Sequence, residues 1–207
     1  MLNGQSKNRR IGLYGGSFNP PHVGHLIVAD AVRDQFDLDE IWWIPSDTPP
    51  HKAAPEVAPT ADRVELTRRA IADNDHFKLC LVEVERGGVS YTIDTVTALQ
   101  ERYPEVEFSL IMGSDSLAGF PNWHKPEEIA SRLPLLVYKR PGGQSPELPD
   151  SLQADVSFVE APLIDISGTD IRRRCRQGFS IRYLVPQGVR HYLKEHQLYL
   201  DRQETSS

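Results

Sequence analysis

"GLYGGSFNPPHVGHL", Gly12 to Leu26, decides how the rest of the chain is read. Before it, "RIGLY" (Arg10 to Tyr14) reads as a first β-strand, and a helix is expected to begin near Val23. Between them, Gly15-Gly16 is expected to turn the backbone tightly and bring it close to a ligand, because glycine has no Cβ to clash. The loop is neither G-x-G-x-x-G nor G-x-x-x-x-G-K-[ST], so both standard nucleotide fingerprints fail. Their place is taken by "HVGH". Three residues apart at a helix start, His22 and His25 project toward one side, near free backbone N–H groups and the positive end of the helix dipole. Such a place attracts a phosphate. A metal site is not expected, since the spacing is not H-E-x-x-H and no third ligand follows nearby. Read alone, either histidine would be a surface or capping residue.

Outward from this stretch, β-type and helix-type segments alternate. "EIWWIP", "FKLCLVEV", "VEFSLIMG", "PLLVYKR" and "VSFVEAP" read as strands, and "LIVADAVRDQF", "ADRVELTRRAIAD", "TIDTVTALQERY" and "EEIASRL" as helices. Parallel strands need helical crossovers that cover both sheet faces, which makes the strands continuously apolar. The fold class is therefore α/β: a doubly wound, mostly parallel sheet with its ligand crevice at the carboxyl ends of the strands. "DIRRRCRQG" and "GVRHYLKEHQLYL" add two short carboxyl-terminal helices. The 207 residues, 39% hydrophobic, suit one sizeable core. A single domain over 10–200 is expected, with loose tails at 1–9 and 201–207, and a Pro/Gly/Ser-rich surface loop from Pro141 to Asp155.

A net charge of −6 gives no global attraction to nucleic acid or an anionic membrane, so any anion site must be local. Cys80 and Cys175 stand far apart, outside any metal spacing, as in a reduced cytoplasm. No apolar run approaches the length of a membrane span. A cytoplasmic protein with no nucleic-acid or membrane partner is expected; homo-oligomerisation stays open.

A second phosphate element follows an apolar run near the other end: "DISGTDIRRRCRQG". Ser167 and Asp170 have capping-box spacing, which is expected to place Thr169 and Arg172 in a first helical turn, with Arg172 adding a cationic fork. The two motifs together resemble the nucleotidylyltransferase superfamily, whose signatures are G-G-x-F-x-P-x-H-x-G-H and I-S-x-T-x-I-R. Gly15, Gly16, Phe18, Pro20, His22, Gly24 and His25 match the first, and "ISGTDIR" the second.

The resemblance implies a Rossmann-like nucleotidyltransferase fold and transfer of a nucleotidyl group from a nucleoside triphosphate, with pyrophosphate leaving. It implies catalytic roles for His22, His25 and Arg172. It puts Gly15, Gly16, Ser17, Phe18, Gly113, Asp115, Ile166, Ser167 and Thr169 on the ATP side, with Mg²⁺ carried by the ATP phosphates.

Four internal stretches, "TPPHK", "SYTIDT", "MGSDSL" and "NWHK", sharpen the resemblance to the bacterial type of nicotinate-nucleotide adenylyltransferase, from about Ile11 to Leu198. ATP and nicotinate mononucleotide are then the expected substrates. Trp123 suits a cationic ring, and backbone N–H groups near Thr92 suit a ring carboxylate. Lys52 and Arg140 suit the acceptor phosphate, and His124 adjoins Trp123. A sister transferase for phosphopantetheine, and a nucleotide-binding regulator without catalysis, are the competing readings.

Overall fold

Consecutive tryptophans show how the sheet divides its side chains. Successive residues of a strand point to opposite faces. In β2 (Glu40–Pro45), Ile41 and Trp43 enter one apolar cluster, and Trp42 and Ile44 the other. The computed structural model describes residues 8–48, 57–139, 148–149 and 152–200.

Among the described residues six strands, β1 (Arg9–Gly16), β2, β3 (Phe77–Leu79), β4 (Val106–Gly113), β5 (Leu135–Tyr138) and β6 (Val156–Val159), form one sheet in the order β3-β2-β1-β4-β5-β6. Every pairing is parallel, so the antiparallel allowance in "mostly parallel" is not needed. Gly12, in central β1, faces the packed side chains of Leu38, Ile41 and Ile111; a Cβ there would lie 2.7 Å from Ile111 Cδ1.

Helices cover both faces, as parallel strands require. Helices α1 (Val23–Gln35) and α2 (Thr60–Ala70) lie on the Trp43 face. Val28, Ala29 and Val32 of α1 and Leu66 and Ala70 of α2 recur at helical spacing to give each a buried stripe. The short α3 (Val82–Arg86) precedes α4 (Thr92–Arg102), which packs on the Trp42 face with α5 (Ser114–Gly119) and α6 (Pro126–Arg132). Helices α7 (Gly168–Arg176) and α8 (Gln187–Glu195) return to the Trp43 face through Ile171, Val189, Tyr192 and Leu193.

Two boundaries differ from expectation. Arg9, assigned to the amino-terminal tail, already pairs with Val106 in the sheet. "FKLCLVEV" is not one strand: β3 stops at Leu79, and α3 then curls inward until Gly87 ends it at φ +70°. The cause is Glu83, which turns into the protein to meet Thr95 of α4 instead of continuing a sheet edge. Residues 1–7, 201–207 and most of the Pro141–Asp155 loop lie outside the described residues.

The strand order reverses direction between β1 and β4. Doubly wound sheets open their ligand crevice at such a point, beyond the carboxyl ends of the strands. Here those ends are Gly15-Gly16 and Gly113.

Candidate active site

Gly15 and Gly16 do not make the turn expected of them. They finish β1, in register with Ile44 and Pro45, and the left-handed residue is Phe18, at φ +42°. Phe18 holds that conformation because its ring is buried against Trp43, with centroids 5.1 Å apart, and lies edge-on to Tyr14 at 5.8 Å. Close approach is nonetheless available. A Cβ on Gly15 would meet no protein atom within 4 Å, so bare backbone forms the cleft wall.

His22 is the N-cap of α1, and its backbone N–H donates to His25 Nδ1 at 3.1 Å. An acceptor nitrogen carries no hydrogen, so neutral His25 bears its proton on Nε2 and presents an N–H donor there. The imidazoles stack at 3.6 Å between centroids. Gly24 leaves room for this, since a Cβ there would crowd His22 Nδ1 at 3.1 Å. Tyr14, Phe18 and Trp43 fix the His25 ring edge-on from behind. The expected free N–H groups are partly spoken for: Val23 donates to the Leu184 carbonyl and His25 to that of His22. This end of α1 therefore offers imidazoles more than backbone donors.

The second motif folds as the spacing predicts at its cap, where the Asp170 N–H donates to Ser167 Oγ at 3.1 Å. Arg172, however, stands at the fifth helical position, in the second turn. One turn above Gly168 and Thr169, it points its fork back along the helix. Nη2 donates to Thr169 Oγ1 at 3.2 Å, and Nη1 to the Asn19 carbonyl at 2.9 Å. The motifs are thus joined across the chain by one carbonyl. Their approach is close enough that a Cβ on Gly168 would lie 2.9 Å from the same Asn19 oxygen.

Two residues of this junction escape a reading of the sequence. Asn19, 5% exposed, gives its carbonyl to Arg172, while its Oδ1 accepts from Tyr199 Oη at 2.7 Å and the Ala58 N–H at 3.0 Å. Arg63 is 1% exposed and spends all five donors. Nε donates to the Ala58 carbonyl, Nη1 to those of Ser17 and Ser46, and Nη2 to the Asp47 carbonyl and Thr60 Oγ1. Burial pulls the Arg63 guanidinium below its ordinary pKa, against the opposing pull of Asp47. The available signal is position: an arginine on the buried face of an amphipathic helix, beside Leu66, Thr67 and Ala70.

At the other end of the cleft Thr92 is the first residue of α4, and Gly113 caps α5, with Asp115 in its first turn. Asp115 Oδ1 accepts the Ser116 N–H at 2.9 Å. Half-buried Trp123 packs edge-on against Phe120 at 5.3 Å, and exposed His124 tilts over Tyr91 at 4.6 Å.

One cleft of about 750 Å³ joins the two ends. His22, His25, Arg172, Gly15, Gly16, Ser17, Phe18, Ile166, Ser167 and Thr169 line it together with Gly113, Asp115, Thr92, Trp123 and His124. Lys52 and Arg140 lie outside the described residues. Glu83, which the sequence does not single out, lines it too. Among the described residues no group of three or more His, Cys, Asp or Glu side chains is placed to hold a metal ion, and no helix is long and apolar enough to cross a membrane.

Known proteins resemble this chain over nearly its whole length. The cytidylyltransferase-like family model matches residues 13–174. A Salinibacter ruber protein named "Probable nicotinate-nucleotide adenylyltransferase" is 54% identical over 91% of this chain and 97% of its own length. A Bacillus pumilus protein of the same name is 43% identical over 92% and 98%. In three dimensions, Plasmodium falciparum nicotinic acid mononucleotide adenylyltransferase complexed with NaAD superposes with a TM-score of 0.75 at 19% identity, covering 92% of this chain and 97% of that one, a likeness of fold. The chain belongs to the cytidylyltransferase-like family and, within it, to the nicotinate-nucleotide adenylyltransferases.

Proposed function

We propose that the protein transfers the adenylyl group of ATP to nicotinate mononucleotide, giving deamido-NAD and pyrophosphate, in the cytoplasm. The observation that carries the reading is the convergence of His25 and Arg172, from opposite ends of the chain, on one cleft whose other end offers a helix start and an indole.

The acceptor's phosphate oxygen is anionic near neutral pH and needs no general base. It attacks the α-phosphorus of ATP in line, forming the new P–O bond as the bond to the β-phosphate bridge breaks and pyrophosphate leaves. Positioning and charge stabilisation supply the acceleration, as in phosphoryl transfer generally. Holding both nucleotides in attack geometry is worth roughly 7–11 kcal/mol. The Nε2–H of His25 donates to the α-phosphoryl oxygens, where charge builds in the transition state. His22 assists on the same phosphates. Arg172, Ser167 and Thr169 at the head of α7 take the β- and γ-phosphates, the charges that favour a helix N-terminus. Mg²⁺ enters with ATP, as part of the substrate.

At the acceptor end, Trp123 stacks on the pyridinium ring, contributing about 0.5–2 kcal/mol. The first N–H groups of α4, at Thr92, receive the ring carboxylate. Gly113 and Asp115 face the adenosine, with the Asp115 carboxylate accepting from a ribose hydroxyl.

Pyrophosphate release with ATP and nicotinate mononucleotide tests the proposal, with nicotinamide mononucleotide and phosphopantetheine as competing acceptors. The nicotinate form should turn over fastest. Preference for phosphopantetheine would move the chain to a sister activity, and no release with any acceptor would leave a nucleotide-binding regulator.

A further inference from the structure

Arg63 is buried and does not line the cleft, yet two of the residues it holds, Ser17 and Ser46, do. Its N–H groups all end on uncharged oxygens: the carbonyls of Ala58, Ser17, Ser46 and Asp47, and the Thr60 hydroxyl. A guanidinium is costly to bury on neutral partners, and only its planar fork can grip this many carbonyls at once. The consequence lies on the far side of each peptide. In a trans peptide the C=O and N–H point in opposite directions. The Ser17, Ser46 and Asp47 carbonyls face Arg63, so the N–H groups of Phe18, Asp47 and Thr48 are turned away from it. Two of these show where they go: the Asp47 N–H donates to Ser90 Oγ at 3.0 Å, and the Thr48 N–H to the Gly88 carbonyl at 3.3 Å. The third peptide joins Ser17 to Phe18, both in the cleft wall. Phe18 is left-handed, at φ +42°, a backbone form in which successive N–H groups gather around an anion.

We infer that Arg63 is a positioning residue for the triphosphate: gripped from behind by its guanidinium, the Ser17–Phe18 peptide aims the Phe18 N–H into the cleft as a phosphate donor. The inference deepens the proposed function and rests on it. Arg63 acts in two ways without touching ATP. It fixes direction, because the Nη1 that takes the Ser17 carbonyl at 3.1 Å also takes that of Ser46 at 2.6 Å, tying the loop after β1 to the end of β2. It also supplies charge, because a carbonyl that accepts from a cation is polarised and makes the N–H of its own peptide a stronger donor. The acceptor end leans on Arg63 less. Its 88–90 segment is held as well by the Gly88 N–H on Asp47 Oδ2 and by the Ser90 N–H on the Thr48 carbonyl.

Arg63→Lys keeps a buried cation and removes the fork, since an ammonium is a point donor that cannot span Ser17, Ser46 and Ala58 together. Calorimetry on the wild type and the variant, well below the melting temperature, measures ATP, inorganic triphosphate and nicotinate mononucleotide separately, the first two with Mg²⁺. ATP and inorganic triphosphate should each bind on the order of ten- to hundredfold more weakly to the variant, the loss of one hydrogen bond to a charged group, while nicotinate mononucleotide stays within about twofold. A packing role alone predicts a lower melting temperature with all three affinities kept, and a general loosening predicts equal losses. Either result would overturn the inference.

If Arg63→Lys does not fold, the wild-type protein decides. With nitrogen labelling confined to phenylalanine, the Phe18 amide resonance should move downfield when inorganic triphosphate and Mg²⁺ are added, as its hydrogen bond to an anion forms. An unmoved Phe18 amide with inorganic triphosphate bound defeats this inference alone. Failure of the wild-type chain to bind ATP at all defeats the proposed function with it.

Discussion

At the proposed triphosphate end of the cleft, His25, Arg172 and Ser167 are each fixed by a second group. His25 is held by the His22 N–H, Arg172 by the Asn19 carbonyl and Thr169, and Ser167 by the cap of α7. At the acceptor end the aromatic side chains rest on one another: Trp123 on Phe120, and exposed His124 on exposed Tyr91. The first end is preorganised by hydrogen bonds of fixed direction, the aromatic wall of the second by contacts without direction. Charge that builds in a transition state rewards donors already aimed, because no reorganisation is then needed during the reaction. Ground-state recognition of a flat ring tolerates looser walls. Substitutions at the first end should therefore appear in kcat, and at the second in KM for the acceptor.

The largest effect is expected from His25→Ala. Loss of one donor aimed at developing charge costs on the order of 10²–10³ in turnover, with KM for both substrates nearly kept. Steady-state kinetics with either substrate varied will show it. Near-normal kcat would break the comparison at its strongest point.

Gly168→Ala should follow. Its Cβ would meet the Asn19 carbonyl at 2.9 Å, and both atoms belong to backbone that cannot swing aside. Separating α7 from the β1–α1 turn pulls Arg172 off its anchor, with an overpacking cost of roughly 1–3 kcal/mol. kcat should fall, together with a higher KM for ATP and a lower melting temperature, while acceptor binding, measured by calorimetry without ATP, stays unchanged. An equal loss of acceptor affinity would show that the two ends are not independent.

How much of this is legible in the sequence follows the same division. The residues proposed to bind phosphate are contiguous within each motif, so spacing alone places His22 with His25 and Ser167 with Asp170. The sheet is legible for a related reason: apolar runs and helical periods are local patterns. What stays hidden depends on contacts between distant segments. Arg63 is an ordinary charged residue in "TADRVELTRRA" until Ser17, Ser46 and Asp47 turn their carbonyls toward it. Glu83 looks like strand continuation, because "LCLVEV" is a nearly continuous apolar run and nothing in it announces Thr95. Even the glycine pair suggests the wrong task, since the turn belongs to Phe18, whose strain is borne by an aromatic cluster that includes Trp43, remote in sequence.

Trp123→Ala sharpens the comparison from the weaker side. Removing the ring proposed to stack on a pyridinium should raise KM for nicotinate mononucleotide by the equivalent of about 0.5–2 kcal/mol, with kcat and KM for ATP nearly unchanged. Phe120 keeps its burial in the core, so the protein should stay folded. A fall in kcat comparable to that of His25→Ala would mean that the acceptor wall also aligns the attacking oxygen.

The smallest effect concerns the anchor itself. Tyr199 Oη donates to Asn19 Oδ1 at 2.7 Å, and burial pushes the phenol well above its ordinary pKa, so the donor proton is present at any working pH. In Tyr199→Phe the ring and its packing remain and one bond is lost, at about 0.5–1.5 kcal/mol of stability by thermal melting. Asn19 Oδ1 retains the Ala58 N–H, and Asn19's carbonyl retains Arg172, so kcat should hardly move. A large drop in kcat from this distant hydroxyl would mean that the β1–α1 turn is set by its side-chain hydrogen bonds, and that directional preorganisation extends beyond the groups proposed to touch ATP.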